Sequence, residues 1–385
     1  MDHKPLHILF LCSWYPNPDS QTNGIFIKRH AQALALKHHV TVLFVKSVNA
    51  VSESYSESVN GNLKEILFFY PKSKFQFPII SSFLKYVKFK SHYEKQIDAL
   101  QSHFDVIHLN TIFPAAIPAL YALRKNPTAA FFITEHWSGY YSEDGSYKGA
   151  LMKYYTQKVA AKAKAICVIS DKLKQAMQHH SLLCNYELIN NVVDTTIFKP
   201  NPIHYNLSQT LRILHVSSLV DREKNISGII KIAEKLKQQQ VDFTLTIIGE
   251  NLSEWDRHQA LAYQNLNSND IKFVGYKQAY EIANYMNESD VFLLFSHYEG
   301  MPVVLLESMS CGLPVITTQV GQVDKIVKPE MGIVLMSHDI NECVKKLSQF
   351  NRAQFLNAEI MHQEIKKLYS YESVCNALTK FYTSN

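Results

Sequence analysis

The segment SHYEGMPVVLLESMSCGLPVITT, residues 296–318, carries two carboxylates in an otherwise apolar stretch. Glu299 precedes a Gly-Met-Pro turn, and Glu307 lies further on, within the apolar run VVLLESMS. A buried carboxylate is costly unless a donor group pairs with it. These two carboxylates could be satisfied by the protein itself, could accept hydrogen bonds from the hydroxyl groups of a ligand, or could form a glycosidase-like acid and base pair.

A helix is predicted to begin between the two glutamates. VFLLFS (291–296) has the composition of a buried strand, and SHYEG then forms the loop at its carboxyl end. Pro302 falls in the first helical turn, where proline is favoured, and Gly312 provides a left-handed stop. The free N–H groups at the start of this helix predict an anion site with Glu299 at its mouth.

The elements that must position this segment are short apolar runs that alternate with amphipathic helical stretches. The predicted strands are 7–12, 40–45, 106–109, 130–134 and 165–170, followed by 212–218, 243–249, 271–275, 291–296 and 314–318. Helical stretches lie between them, such as 26–37 and 226–240. Strands rich in Val, Ile, Leu and Phe that alternate with helices are typical of an α/β fold with parallel sheets covered on both faces.

The series of strands restarts halfway along the chain. LHILFL and LRILHV are similar, and each opens a new series, while residues 191–210 between them have little periodicity and two prolines. This segment is typical of a linker, so we predict two Rossmann-like domains. Ligands of such folds bind beyond the carboxyl ends of the strands, and we therefore expect the site in the cleft between the domains.

Composition and missing motifs exclude several function classes. A formal charge of +5 over 385 residues is too mild for bulk nucleic-acid binding. The six cysteines include no C-x-x-C pair, which favours reduced thiols in a cytoplasmic protein. The chain has no D-x-D, so a metal-bridged diphosphate site is not expected, and no G-x-G-x-x-G near the first strand. No stretch approaches the roughly 20 apolar residues of a spanning helix.

The stretch EGMPVVLLESMSCGLPVI resembles the E-x7-E segment of retaining glycosyltransferases of family 4, which have the GT-B fold and use nucleotide-sugar donors. WYPNPDSQTNGIFIKRHAQAL, ITEHWSGY, NNVVDTTIFKP, KNISGII and IKFVGY follow in that family's order, so the resemblance covers most of the chain. It implies an acceptor-binding domain at 1–197, a nucleotide-sugar-binding domain at 198–366, and a C-terminal helix at 367–385 that returns to the first domain.

The resemblance also implies roles for the residues of the opening segment. Glu307 matches the glutamate that binds the ribose hydroxyls of the donor, and Glu299 matches the one that contacts the transferred sugar. Gly300, Met301 and Pro302 fall at the same donor site, where backbone N–H groups would bind sugar or diphosphate. We expect both carboxylates to be left unsatisfied for the donor. The structural alternative for Glu307 is a carboxylate that pairs with a backbone group or a lysine of the protein. The alternative for Glu299 is a charge that complements the helix dipole.

Cations for the diphosphate are expected in HVSSLVDREKN, just after a strand. Lys224 matches the family lysine. The family often has an arginine near the end of that strand, but here the position is Ser218. Arg222 could reach the diphosphate instead, or it could be a solvated loop charge.

The remaining implied site residues lie in other loops. Gly24 matches the glycine that lets backbone approach phosphate, and Gly275 with Tyr276 matches the loop that packs against the base, while Gly249 matches a loop on the same rim. Each could equally be an ordinary turn or surface residue. His136 matches a histidine that faces the reacting sugar, although a histidine after an apolar strand is more often structural.

The function that the resemblance implies is transfer of a glycosyl unit from a nucleoside diphosphate sugar to a hydroxyl acceptor, a glycan or a lipid-linked glycan, with retained anomeric configuration. No metal, cofactor or protein nucleophile is expected. Cell-surface polysaccharide or glycolipid biosynthesis is the expected setting. A nucleotide-sugar epimerase of the same architecture and a non-catalytic nucleotide-sugar-binding subunit are the alternatives.

Residues 72–95 interleave lysines with aromatic and aliphatic residues. From Ser81 onward, apolar residues recur at helical spacing with Lys85, Lys88 and Lys90 around them. Such a helix could lie on an anionic membrane, with its lysines on lipid headgroups, at the inner face of the membrane. A covering helix whose apolar face packs on the sheet has the same pattern.

Overall fold

The alternating strands and helices form two α/β units in a computed structural model that describes residues 4–72, 78–100, 103–142, 144–201, 210–251 and 253–384, without the side chains of residues 78–83. One unit comprises Met1–Val192 with Tyr371–Asn385, and the other comprises Val193–Ser370. The division after Val192 lies within the segment 191–210, whose low periodicity predicts a linker.

The strands of the first unit are β1 (His7–Cys12), β2 (His39–Val48), β3 (Ser54–Asn60), β4 (Leu63–Pro71), β5 (Val106–Asn110), β6 (Ala130–Glu135), β7 (Ala165–Val168) and β8 (Tyr186–Leu188). They form one sheet in the order β3-β4-β2-β1-β5-β6-β7-β8. All neighbours are parallel except β3, which is antiparallel to β4. The sheet therefore has its carboxyl edge where the loops after β1, β5 and β6 meet.

The strands of the second unit are β9 (Leu211–Val216), β10 (Phe243–Ile248), β11 (Ile271–Gly275), β12 (Val291–Leu294), β13 (Val315–Thr318) and β14 (Gly332–Leu335). They form a fully parallel sheet in the order β11-β10-β9-β12-β13-β14. Counted from β9, this is the Rossmann strand order 3-2-1-4-5-6, whose direction of winding reverses between β9 and β12.

The helices of the whole chain are α1 (Ile25–Leu34), α2 (Pro78–Ala99), α3 (Ala116–Lys125), α4 (Ala150–Ala160), α5 (Asp171–His179), α6 (Asp221–Lys224), α7 (Ile226–Gln238), α8 (Trp255–Ala262), α9 (Ala279–Asn287), α10 (Val303–Ser310), α11 (Val323–Ile326), α12 (Ile340–Ser348), α13 (Ala358–Tyr369) and α14 (Tyr371–Ser384). None of the helices within the described ranges is long and apolar enough to cross a membrane.

Each unit has its own core between sheet and helices. In the first unit, Leu34 of α1 and Phe381 of α14 pack with Phe10 and Phe132 of the sheet, all fully buried. In the second, Leu236 of α7 packs with the strand residues of β10 and β12. Full burial of a side chain of this size contributes about 1.5–3 kcal/mol, so α14 is firmly held on the first unit although it follows the second in sequence.

All ten predicted strands are confirmed, because short runs of Val, Ile, Leu and Phe between helices suit strands that are covered on both faces. Four strands were not predicted. β3 is SYSESVN, exposed along its whole length, β8 has only three residues, and the two central residues of β14 are partly exposed. The apolar residues of β4 are interrupted by Lys64 and Glu65, which lie on a partly exposed part of the strand.

The predicted helix boundaries in the opening segment hold with one adjustment. Pro302 is the N-cap residue of α10 rather than a residue of its first turn. Gly312 follows the C-cap with φ of 76°, the left-handed stop that the sequence predicts.

Candidate active site

The point of winding reversal in the second unit lies between two strands that carry predicted site residues. The loop after β9 leads to Lys224, and the loop after β12 carries Glu299. In open α/β sheets, ligands bind beyond the carboxyl ends of the strands at such a point. The strand order therefore brings these two residues to neighbouring places at the carboxyl edge of the sheet.

Lys224 and Glu299 form an ion pair at this point. Lys224 Nζ lies 2.6 Å from Glu299 Oε1, and the two side chains are 18% and 10% exposed. Ser296, two residues after β12, donates a second hydrogen bond from Oγ to the same oxygen over 2.8 Å. The expectation that Glu299 is left unsatisfied is therefore wrong, because a cation and a hydroxyl group close by in the fold pair with it.

Glu307 is half-buried in the second turn of α10. It also interacts with a group of the protein, so the expectation of an unsatisfied carboxylate is wrong here as well. Its charge lies close enough to Cys311 to raise the pKa of that thiol, although burial is the larger cause. The structure leaves its role toward ribose as a prediction.

The position of Lys224 is fixed by a break between two helices. Asn225 has a left-handed φ of 54°, ends α6 and begins α7, and its Oδ1 accepts a hydrogen bond from the Gly228 N–H. Lys224 therefore leaves α6 at its last residue and reaches Glu299. Arg222, two residues earlier, has a side chain that is 86% exposed and lies 3.5 Å from Glu223. This placement favours the solvated loop charge over a substitute for the family arginine.

The loop that follows β9 is held by a chain of hydrogen bonds. His215 Nδ1 donates to the Leu293 carbonyl, and its Nε2 accepts from Ser217 Oγ, both over 2.8 Å. Ser217 Oγ in turn accepts from the Leu219 N–H. Burial lowers the pKa of His215 to about 4, so the ring is neutral and this donor and acceptor assignment is consistent.

Gly249 lies directly against this loop. A Cβ at position 249 would lie 1.9 Å from the Ser217 carbonyl oxygen, so only glycine fits. Its N–H donates to the Gly275 carbonyl over 3.1 Å, which joins the two predicted rim loops. Tyr276, next in the chain, is 42% exposed, and an aromatic ring of this kind can stack on a base.

The loop after Glu299 packs closely against the loop that follows β13. Met301 and Pro302 are buried, whereas Gly300 is half-buried. A Cβ at Gly321, in the loop after β13, would lie 2.3 Å from the Gly300 carbonyl oxygen and 2.5 Å from that of Glu299. The course of this loop therefore depends on a glycine in a neighbouring loop that the sequence analysis did not identify.

In the first unit, Gly24 and His136 are linked by one aromatic residue. Gly24 is the N-cap of α1 with a φ of 67°, and its Cβ position would lie 2.7 Å from the backbone of Trp14. Phe26, in the first turn of α1, contacts the ring of His136 with centroids 4.3 Å apart. The start of α1 and the loop after β6 therefore lie side by side.

His136 is a neutral imidazole. Burial, and to a lesser extent the charges of His30 and His108, lowers its pKa well below the usual value. Its Nε2 is enclosed and has no hydrogen-bond partner among the residues that the structure describes. The ring is therefore not a cationic acid at neutral pH.

Glu135 holds the loop that carries His136. This fully buried carboxylate accepts hydrogen bonds from the N–H groups of His136 and Trp137 through Oε1, and from the Ile112 N–H and Tyr140 Oη through Oε2. Burial raises its pKa, and these four hydrogen bonds partly oppose the rise. It fixes the loops after β5 and β6 to each other.

Sequence reasoning missed the supporting residues Ser217, His215, Ser296 and Gly321, and it noted Glu135 only as a neighbour of His136. The available signals were weak. A polar residue at the end of an apolar strand, such as Ser296, marks the edge of the sheet, but it does not say which side chain it contacts.

Two family profiles match the chain. The family described as "Glycosyl transferases group 1" matches residues 202–367, and "Glycosyltransferase Family 4" matches residues 24–197. The amylovoran biosynthesis glycosyltransferase AmsK of Erwinia amylovora is 37% identical over 128 residues, which cover 32% of this chain and 31% of that protein. Two of the curated relatives, AmsK among them, match over only 31% and 40% of their own length.

Solved structures match over nearly the whole chain. Sucrose-phosphate synthase from Thermosynechococcus elongatus has a TM-score of 0.77 at 18% identity and covers 98% of both chains. HepE of Anabaena, in complex with UDP and glucose, has a TM-score of 0.71 at 14% identity, covering 99% of this chain and 100% of that one. At these identities the likeness establishes the fold, which is GT-B.

Proposed function

Since the chain belongs to glycosyltransferase family 4, we propose that it transfers a glycosyl unit from a nucleoside diphosphate sugar to a hydroxyl acceptor with retention of configuration. The observation that carries this proposal is the Lys224–Glu299 pair at the winding reversal of the second unit. An ammonium group and a carboxylate at the carboxyl edge of a Rossmann sheet suit a ligand that has both phosphates and hydroxyl groups.

Lys224 supplies the positive charge for the leaving diphosphate in this proposal. An ammonium group has three N–H donors, so Lys224 can turn from Glu299 Oε1 and direct them at phosphate oxygens when the donor binds. Negative charge develops on those oxygens as the glycosidic bond breaks, and a preorganised cation stabilises it. The N-terminal N–H groups of α10 add a smaller contribution of the same sign.

Donor recognition in the proposal uses the rim loops around this pair. Glu307 accepts hydrogen bonds from ribose hydroxyls, and Tyr276 with the Gly275 backbone packs against the base. HepE, the solved neighbour described above, binds UDP and glucose. Uridine diphosphate hexoses are therefore the first donors to test.

Acceptor recognition is assigned to the first unit. His136, neutral and held by the loop that Glu135 fixes, offers a hydrogen bond to a sugar hydroxyl. The amylovoran-biosynthesis relative suggests a glycan acceptor, and cell-surface polysaccharide or glycolipid synthesis is the setting that we propose.

A lipid-linked acceptor would reach the protein from a membrane, and α2 is the helix that we propose contacts that membrane. Leu84 and Val87 are 40% and 43% exposed, and Lys85 and Lys88 are exposed beside them. This combination suits the surface of an anionic membrane. Part of the segment 72–95, residues 73–77 and the side chains of 78–83, lies outside the described residues.

The experiment that tests the donor assignment is a thermal-shift screen of nucleotide sugars against the wild-type protein and Glu299→Gln. A ligand that binds only the folded state raises the unfolding temperature. We expect one class of nucleoside diphosphate sugar to stabilise the wild type, and to stabilise Glu299→Gln less. No stabilisation by any member of the panel would contradict the proposal.

A further inference from the structure

The two hydrogen bonds to Glu299 converge on one oxygen. Lys224 Nζ lies 2.6 Å and Ser296 Oγ 2.8 Å from Oε1. Oε2 has no partner among the residues of the described ranges, and it is not one of the enclosed atoms. The carboxylate is thus held by one oxygen and presents the other for a ligand.

Ser296 is anchored far more rigidly than Lys224. Ser296 is fully buried, and its carbonyl accepts hydrogen bonds from Thr318 Oγ1 and His338 Nε2, each over 2.8 Å. Thr318 is the last residue of β13, and His338 follows β14. The peptide at Ser296 is therefore fixed by the next two strands of the sheet. Lys224, in contrast, reaches Glu299 through a flexible four-carbon stem.

The loop that carries Glu299 also packs closely against Gly321. A Cβ at position 321 would clash with the carbonyls of Glu299 and Gly300. The backbone of Glu299 consequently has little room to move. The orientation of its carboxylate then depends on the groups that contact Oε1.

We infer that Ser296 is a positioning residue for Glu299. When Lys224 turns toward the donor phosphates, Ser296 retains Oε1 and keeps Oε2 directed at a hydroxyl group of the transferred sugar. This inference rests on the proposed function. The role of Ser296 concerns the transferred sugar and not the phosphate groups of the donor. Loss of Ser296 therefore affects recognition of the sugar and leaves recognition of the nucleoside diphosphate unchanged.

The test compares Ser296→Ala with Ser310→Ala. Ser310 is equally buried and donates from Oγ to the Phe198 carbonyl over 2.6 Å, so its variant controls for loss of a buried hydroxyl. We expect Ser296→Ala to weaken binding of the nucleotide sugar and to lower kcat by about tenfold to a hundredfold, the range for a hydrogen bond to a charged group. Binding of the nucleoside diphosphate alone should stay within about twofold of the wild type in both variants.

A double-mutant cycle with Glu299→Gln separates positioning from a general structural role. If Ser296 acts through Glu299, Ser296→Ala has little further effect on kcat in the Glu299→Gln background. Additive losses, or a Ser296→Ala protein that behaves like Ser310→Ala, would overturn the inference. The same cycle measured on thermal unfolding without ligand requires no activity, and absence of coupling there would also overturn it. A wild type that binds no nucleotide sugar contradicts the proposed function instead.

Discussion

At the scale of single residues, the proposed donor site depends on how one ion pair is shared between the protein and a ligand. Lys224 and Glu299 neutralise each other in the structure, with Ser296 as a third partner. The pair lies mostly out of solvent, so each charge needs a partner at all times. A donor that brings phosphates and hydroxyl groups supplies a new partner for both.

The contrast between Lys224 and Arg222 gives a matched test of the cation that serves the diphosphate. Lys224→Ala should weaken binding of a nucleoside diphosphate at least tenfold but leave binding of the nucleoside alone nearly unchanged, because only the phosphates lose a partner. Arg222→Ala removes the same charge from an exposed position and should change either affinity less than twofold. Isothermal titration calorimetry measures both. Equal losses for nucleoside and nucleotide would count against Lys224.

Glu307 provides a second test at this scale. Glu307→Gln keeps the size of the side chain but removes a charged acceptor, and donor binding should weaken by about 1.5–3 kcal/mol. Glu330→Gln, at an exposed position in the same unit, is the control and should bind the donor normally. Circular dichroism should report an unchanged fold for both variants. Normal donor affinity in Glu307→Gln would remove Glu307 from the site.

The types and spacing of these residues were readable from the sequence, but their contacts were not. Lys224 ends α6 and Glu299 lies in the loop after β12, and their distance follows from the order of the strands, which no local pattern specifies. The sequence therefore predicted an unsatisfied Glu299 where the fold supplies two partners. Ser296 was overlooked because a serine at a strand end has no distinctive pattern.

At the scale of elements, the two sheets provide the framework, and their carboxyl edges carry the candidate residues. Long apolar strands and amphipathic helices were predictable because burial on both faces demands a continuous apolar pattern. β3 was not, since all seven of its residues are exposed and its pairing with β4 comes from backbone hydrogen bonds. The reach of α14 back to the first unit was implied by family resemblance and not by periodicity.

The exposed face of α2 allows a test of membrane contact. Lys85 and Lys88 lie beside the exposed Leu84 and Val87, whereas Lys90 is half-buried and pairs with Glu94 over 2.6 Å. Replacement of Lys85 and Lys88 by Gln should reduce sedimentation with anionic vesicles at low salt, since each surface lysine contributes about 1 kcal/mol. Lys90→Gln is the control and should have a smaller effect. Wild-type protein that stays in the supernatant would favour an ordinary covering helix.

At the scale of the whole molecule, buried histidines predict how stability depends on pH. Burial lowers the pKa of His30 and His215 to about 4 and that of His108 to about 3, against about 6.5 in an unfolded chain. Below pH 6.5 the unfolded chain binds more protons than the folded one. Their contribution to stability is therefore complete above pH 6.5 and is lost as the pH falls toward 4.

The expected loss is about 1.4 kcal/mol per pH unit for each buried histidine in this window. Thermal unfolding followed between pH 7 and pH 5 should record a fall in unfolding temperature that His215→Gln makes shallower. His39→Gln, at an exposed position, should leave the pH dependence as in the wild type. An unfolding temperature that stays constant from pH 7 to pH 5 would be inconsistent with these buried neutral rings.

The central claim is that the whole chain transfers a sugar from a nucleoside diphosphate with retention. The most direct measurement is proton NMR of a reaction that contains the stabilising nucleotide sugar and a glycan or lipid-linked glycan acceptor. The account predicts release of one nucleoside diphosphate for each new glycosidic bond, with the anomeric configuration of the donor preserved in the product. Conversion of the donor into another nucleotide sugar without release of diphosphate, or a product of inverted configuration, would contradict it.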